Sequence, residues 1–242
     1  MKPEYITNTD WQLLKEKYRD NIEEVLDKLE EHYPVQYLIG NVEFLNTIIH
    51  VDERVLIPRF ETELLVEKTI QKLKKMKLEN PNILELGTGS GCISIALKKN
   101  IDCKVSAVDI SEDAIQVARE NATLNKVSID FKVQDMLNIN YEGYDLIISN
   151  PPYVSETEPV GKETQYEPQN ALFAKEKGLF FYQEIIKKIS ELSTKPKLIA
   201  FEIGMTQGNE LLEFSKKHLS TMTSSIEKDL TGRDRYLFIE RV

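Results

Sequence analysis

Residues 83–91 read Ile-Leu-Glu-Leu-Gly-Thr-Gly-Ser-Gly, a short apolar run followed by glycine at every second position. No other stretch restricts the fold of this chain as strongly. Four apolar-rich residues closed by glycines read as a buried strand. Glycines at alternate positions then let bare backbone approach a ligand at the mouth of a helix. A dinucleotide fingerprint, G-x-G-x-x-G, sets its last two glycines three apart and opens a pyrophosphate site. Here the glycines alternate and Glu85 precedes them, which suits a ligand carrying an ammonium group and disfavours a pyrophosphate. The competing reading is a tight turn that only glycine permits.

Strands and helices alternate from this point. Strands are expected at 83–86, 104–108, 129–133, 146–149 and 198–203, with helices from Gly91, over 114–124, 180–192 and 209–218. Two closing strands at 222–227 and 236–239 are close enough to pair antiparallel around a turn at 230–234. The pattern predicts an α/β fold with a doubly wound, mostly parallel seven-stranded sheet and a C-terminal antiparallel hairpin. A helix is expected over 61–78, ended by Asn80-Pro81, and a hairpin over Val42 to Val51 with turns at Gly40-Asn41 and Asn46. Before Pro34, Trp11, Leu14, Tyr18, Ile22, Val25 and Leu29 recur every three or four residues behind the candidate caps Thr9 and Asp10, which predicts one amphipathic helix. Its apolar stripe packs on the main domain or a second copy, or docks a substrate; the pattern leaves these open.

With 242 residues, 41% hydrophobic and 29% charged, one main core is expected. No apolar run is long enough to span a bilayer, and Met1 to Asp10 lack a secretory pattern, so a cytoplasmic protein without membrane contact is expected. Cys92 and Cys103, in an expected helix and strand, have no zinc-type spacing; they read as small buried thiols, and no metal is expected. A net charge of -9 repels a phosphate backbone and attracts a basic protein partner.

Further candidate residues lie where the strands end. Asp109 closes the second strand about twenty residues past the glycine loop, where an acid reaches both ribose hydroxyls of an adenosine ligand. Its competing reading is an acid at a helix N-terminus, although Ser111 is the better cap. Asp135 and Met136, after the third strand, offer an acceptor and a soft apolar surface to an adenine. The fourth strand ends in Asn150-Pro151-Pro152-Tyr153. Two prolines stiffen the backbone, Asn150 adds a side-chain carbonyl and Tyr153 a flat ring, a set that suits a planar NH₂ group. The competing reading is a Pro-Pro turn after a strand.

Taken in order, Pro34-Val-Gln-Tyr-Leu-Ile-Gly40, Leu56-Ile-Pro-Arg-Phe-Glu-Thr-Glu63, Glu85 to Ile93, Val108-Asp-Ile-Ser111, Asn150 to Tyr153, Tyr166-Glu-Pro168, Ala171-Leu-Phe173, Phe201-Glu-Ile-Gly204 and Asp229 to Arg235 make the chain resemble the release-factor glutamine methyltransferase family over about Pro34 to Val242. The resemblance implies a Rossmann-like class I methyltransferase fold. It also implies S-adenosylmethionine as cofactor and the Gly-Gly-Gln glutamine of peptide chain release factors as substrate. It assigns Glu85, Gly87, Thr88, Gly89, Ser90, Gly91, Asp109, Asp135, Met136 and Asn150 to the cofactor. Asn150, Pro151, Pro152, Tyr153, Arg59 and Glu61 fall to the substrate, with Asn150, Pro151 and Tyr153 catalytic. Residues 1–57 become a helical segment and hairpin linker for substrate docking, and 58–242 the catalytic domain of a monomer. The chain departs from the family at Phe60, where a second proline is usual, at Met136, and in a segment before Pro34 shorter than the usual helical bundle.

An amide nitrogen is a poor nucleophile. The Asn150 side-chain carbonyl and the Pro151 backbone carbonyl, accepting from its hydrogens, would aim its lone pair at a sulfonium methyl without a strong base; His32, His50 and His218 all lie outside the motifs. The rivals are a nucleic-acid amino methyltransferase, disfavoured by charge despite short clusters such as Lys72-Leu-Lys-Lys75 and Lys216-Lys217, and a noncatalytic scaffold. The stretch 154–177 is expected to be a loop that covers the glutamine and is mobile without it.

Overall fold

The computed structural model describes residues 2–3 and 6–241, and the backbone alone of Asp20. Met1, Glu4, Tyr5 and Val242 lie outside the described residues, and with them part of the stretch Met1 to Asp10 and the outer bounds of both expected segments.

Helix α1, Asn8–Tyr18, is capped by Thr7, whose hydroxyl oxygen accepts from the Asp10 amide at 3.0 Å, not by Thr9 or Asp10 as expected. The single helix expected to Leu29 is broken. Arg19 takes a positive φ of 46°, a 3₁₀ stretch follows over Arg19–Val25, and α2 resumes at Leu26–Glu30. The break lets Leu14, Val25 and Leu29 close on Val35 and Leu38 of α3, Val35–Ile39, in a small core of their own. Lys17 Nζ donates to the Leu38 and Ile39 carbonyls, and Tyr18 OH donates to Leu38, which satisfies acceptors that a helix end leaves open. Periodicity could not show the break because the stripe residues on both sides of it stay buried or partly buried. Strands β1, Asn41–Phe44, and β2, Thr47–His50, form the expected hairpin, with Leu45 and Asn46 both at positive φ in its two-residue turn.

Then follow α4 (Phe60–Lys75), β3 (Asn82–Leu86), α5 (Cys92–Asn100), β4 (Lys104–Asp109), α6 (Glu112–Leu124), β5 (Asp130–Val133) and β6 (Leu146–Ser149). After them come β7 (Val154–Ser155), α7 (Gln169–Leu172), β8 (Phe173–Ala174), α8 (Phe180–Glu191), β9 (Leu198–Glu202), α9 (Gly208–His218), β10 (Met222–Lys228) and β11 (Asp234–Arg241). The main sheet has seven strands in the order β10-β11-β9-β6-β3-β4-β5, with β9 to β5 parallel and β11 antiparallel to both neighbours. That is the expected sheet, with ends moved by one or two residues. Cys103 lies just before β4 rather than in it, and both cysteines are free and buried.

Alternation along β3 sends Ile83 to a core shared with Leu65, Ile95 and Ala118, and Leu84 and Leu86 to one shared with Tyr182, Ile186 and Leu211. Both faces of the sheet are covered, so its strands read as nearly continuous apolar runs. The order reverses at β3, with β4 on one side and β6 on the other, which opens a crevice beyond the carboxyl ends. Asn121 on α6 ties the hairpin to this crevice. Its side chain accepts from the His50 amide and donates to the carbonyls of His50 and Ser90.

Candidate active site

A cavity of about 300 Å³ sits at that crevice. It is lined by the glycine loop, the ends of β4 and β6, the residues after β5, the start of α4, Pro168 and Ala171 from the stretch before β8, and Phe181. Its size is that of a small-molecule site.

On the loop side, Gly87, Gly89 and Gly91 all hold positive φ. A Cβ on Gly89 would meet nothing within 4 Å, so the backbone there faces open cavity; one on Gly91 would press Ala118 Cβ at 3.1 Å. Gly91 therefore serves the packing of the loop on α6 and does not line the cavity. Glu85 is fully buried. Its Oε2 accepts from the Thr88 hydroxyl at 2.7 Å and from the amide and hydroxyl of Ser94, whereas Oε1 has no partner. Burial pushes its carboxyl up to about 7 against those hydrogen bonds. A cationic group in the cavity would meet the lack at Oε1.

Asp109 accepts from the Gly89 amide at 2.8 Å and the Ser111 amide at 2.9 Å, and Ser111 caps α6. The carboxylate thus holds loop and helix together while facing the cavity; burial raises its pKa and the backbone donors oppose the rise. Asp135 also lines the cavity, but its two oxygens accept from the Leu137 amide and the Asn138 side chain, capping a 3₁₀ turn that carries Met136 against Gly87.

On the opposite wall, Asn150 Nδ2 donates to Thr62 Oγ1 at 3.0 Å, and the Thr62 hydroxyl donates to Glu202 Oε2 at 2.6 Å. Neither Asn150 Oδ1 nor the Pro151 carbonyl has a hydrogen-bond partner among the described residues. Pro152 lines the cavity; Pro151, Tyr153 and Glu61 do not. Tyr153 turns its hydroxyl toward Glu202 Oε1 at 3.3 Å, and its carbonyl accepts from Gln207 Nε2 at 3.0 Å, so it holds the turn from behind. Glu61 meets the hydroxyl of Tyr236 through its backbone carbonyl. Arg59 lines the cavity with its Nη2 paired to Glu167 Oε1 at 2.6 Å, where the Glu167 side chain is wholly buried and Oε2 is unpartnered.

The stretch 154–177 is more built than a plain loop. Strand β7 pairs in parallel with β8, Tyr166 OH donates to the Glu31 carbonyl, and the Lys177 carbonyl accepts from Gln207. Thr62, Glu167 and Glu202 were not among the expected site residues. For Glu202 a signal existed, an acid inside the otherwise apolar run Leu198-Ile-Ala-Phe-Glu-Ile203.

Residues 60–177, which hold most of this cavity, match the methyltransferase small domain. The release factor glutamine methyltransferase of Streptococcus pneumoniae is 38% identical over 241 residues, covering 98% of this chain and 85% of that protein. The chain belongs to the release factor glutamine methyltransferase family. A second member, from Flavobacterium psychrophilum, is 39% identical over 224 residues, covering 89% of this chain and 78% of its own. In fold, this methyltransferase is similar to the ribosomal protein L11 methylase of Lactobacillus delbrueckii subsp. bulgaricus, with a TM-score of 0.55 at 20% identity over 80% of this chain and 84% of that one. The expected Rossmann-like fold is thus the observed one. Among the described residues of the methyltransferase, no helix is long and apolar enough to cross a membrane.

Proposed function

We propose that the chain transfers a methyl group from S-adenosylmethionine to the side-chain amide nitrogen of the Gly-Gly-Gln glutamine of peptide chain release factors. One observation carries this reading: the glycine loop, Asp109 and Asn150, whose side-chain oxygen has no partner among the described residues, line one cavity. The family membership sets the substrate class.

Gly87 to Ser90, Glu85, Asp109, Asp135 and Met136 would hold the cofactor. The bare Glu85 Oε1 suits its ammonium group, and the open space at Gly89 suits its close approach. When bound, the cofactor supplies an electrophilic sulfonium methyl. Asn150 Oδ1 accepts from the glutamine NH₂, orients its lone pair and reduces its delocalisation; the Pro151 carbonyl, unpartnered but outside the cavity lining, would take the second hydrogen once the substrate is seated. Pro152 and Phe181 bring apolar surface to the cavity and keep water from the reacting atoms. Arg59 and Glu61 border the entry of the substrate segment, and residues 1–57 dock the body of the release factor. The protein acts as a monomer in the cytoplasm, where its substrate works, and does not bind nucleic acid.

The test is incubation with radiolabelled S-adenosylmethionine and, separately, a release factor, its Gln→Ala variant, duplex nucleic acid and ribosomal nucleic acid. Label is expected on the intact release factor only. Label on a nucleic acid instead would establish the rival amino methyltransferase.

A further inference from the structure

Behind the Asn150 turn lies a buried acid that no step so far uses. Glu202 ends β9 and is 1% exposed, and its two oxygens face Thr62 on α4 and Tyr153. Its other charged and titratable neighbours are Arg235 on β11, Glu61 on α4, Tyr236 on β11, Tyr182 on α8 and Cys92 on α5. Arg235 Nε lies 3.7 Å from Asp229 Oδ2 without a hydrogen bond, and the Arg235 charge also acts on Tyr153, Glu202 and Glu61.

A side-chain amide has two faces of similar shape, one accepting and one donating. Which face Asn150 shows to the cavity decides whether it attracts or repels the hydrogens of an incoming NH₂ group. Thr62 makes that choice by counting hydrogens. A hydroxyl has one, and the ionised Glu202 carboxylate, which can only accept, takes it at 2.6 Å. Thr62 Oγ1 is then left as an acceptor, and the group 3.0 Å from it on Asn150 must be the NH₂. The Asn150 oxygen is thereby turned outward.

Accepting the proposed amide transfer, we infer that Thr62 and Glu202 are positioning residues: the ionised carboxylate, through the Thr62 hydroxyl, fixes Asn150 with its carbonyl toward the substrate amide. Protonation of Glu202 releases the constraint, because Oε2 can then donate to Thr62, the Thr62 hydrogen turns to Asn150, and the amide reverses to present its NH₂. Burial pushes the Glu202 carboxyl up to about 7, against the pull of Thr62, Arg235 and Tyr153, so the reversal falls in a range that assays reach.

The experiment compares wild type with Thr62→Val, Thr62→Ser and Glu202→Gln from about pH 5.5 to about pH 8.5, a window that brackets such a group. It records the single-turnover rate on a release factor, the KM, the affinity for S-adenosylmethionine, and the ¹⁵N-¹H signals of the Asn150 side chain. Thr62→Val is expected to lower the turnover rate roughly 10²-fold, the scale of a misplaced reacting group. Its KM and cofactor affinity should stay near wild type, and Thr62→Ser should regain most of the rate. The wild-type rate and the Asn150 NH₂ signals should change together on the acid side, and Glu202→Gln should abolish both pH responses. An unchanged rate in Thr62→Val, or an acid limb that persists in Glu202→Gln, overturns the inference. If wild type transfers no methyl to any release factor, the proposed function fails, and the NH₂ signals still decide whether Glu202 controls Asn150.

Discussion

Gly178 is packed so tightly against Tyr153 that a Cβ on it would fall far inside van der Waals contact with the Tyr153 carbonyl oxygen, and 2.6 Å from Gln207 Nε2. With φ at +82°, the glycine is also the residue type this backbone favours. Gln207 completes the clamp, donating to the carbonyls of Tyr153 and Lys177. The turn that presents Asn150 is thus held by the end of the 154–177 stretch. Gly178→Ala should destabilise the fold by on the order of 2 kcal/mol or more, from left-handed strain plus overpacking. Urea unfolding would show it as a lower midpoint at unchanged slope, together with reduced methyl transfer.

Asp109→Ala should weaken S-adenosylmethionine binding by about 1.5 to 3 kcal/mol for each charge-assisted hydrogen bond lost to the ribose. The carboxylate also anchors the amides of Gly89 and Ser111, so the variant loosens the glycine loop, and Asp109→Asn should retain part of that anchoring. Calorimetry giving wild-type affinity for Asp109→Ala would remove it from the cofactor site.

How much of this was legible in the chain depends on how local the signal is. The sequence predicts strand β6 to the residue, because the apolar run Leu146-Ile-Ile148, closed by Ser149 and stopped by Asn-Pro-Pro, has one reading. The loop at Gly87, the acid at Asp109 and the Asn150 turn were legible for the same reason, and the sheet order brought them to one cavity. The role of Thr62 was not, since its partner Glu202 lies 140 residues away and only the pairing of β9 beside β6 brings them together. The two-residue strands β7 and β8 carry no periodicity to read, which is why 154–177 looked like an unstructured connection.

That stretch bears on dynamics. Residues 156–163 are exposed, whereas Glu167 is anchored to Arg59. Hydrogen exchange should therefore be fast over 156–163 and slow there when a release factor is added. Arg59→Ala, which strands a buried carboxylate, should extend fast exchange toward residue 174. Equal exchange with and without release factor would count against a closing cover.

Stability should depend on pH through the two buried acids. Glu85 and Glu202 are both pushed up to about 7 by burial. In the unfolded chain they titrate near the ordinary value of about 4.3. Above that value the unfolded chain has lost protons that the folded one keeps, so their contribution is full at lower pH and lost as pH rises through about 7. The cofactor-free protein should lose stability between about pH 4.5 and about pH 7 and level off above, and Glu202→Gln should flatten the slope. Urea midpoints rising across that window would contradict the assignment.

The most direct test lies at Asn150, which lines the cavity and whose side-chain oxygen has no hydrogen-bond partner among the described residues. Asn150→Ala, assayed by single turnover on a release factor at saturating S-adenosylmethionine, should be slower by roughly 10²-fold or more, the scale of losing one preorganised polar group. Cofactor affinity measured alongside separates a binding defect from a chemical one, and Asn150→Asp, which keeps acceptor oxygens, should retain partial activity. A near wild-type rate for Asn150→Ala with both substrates saturating would show that Asn150 does not align the amide.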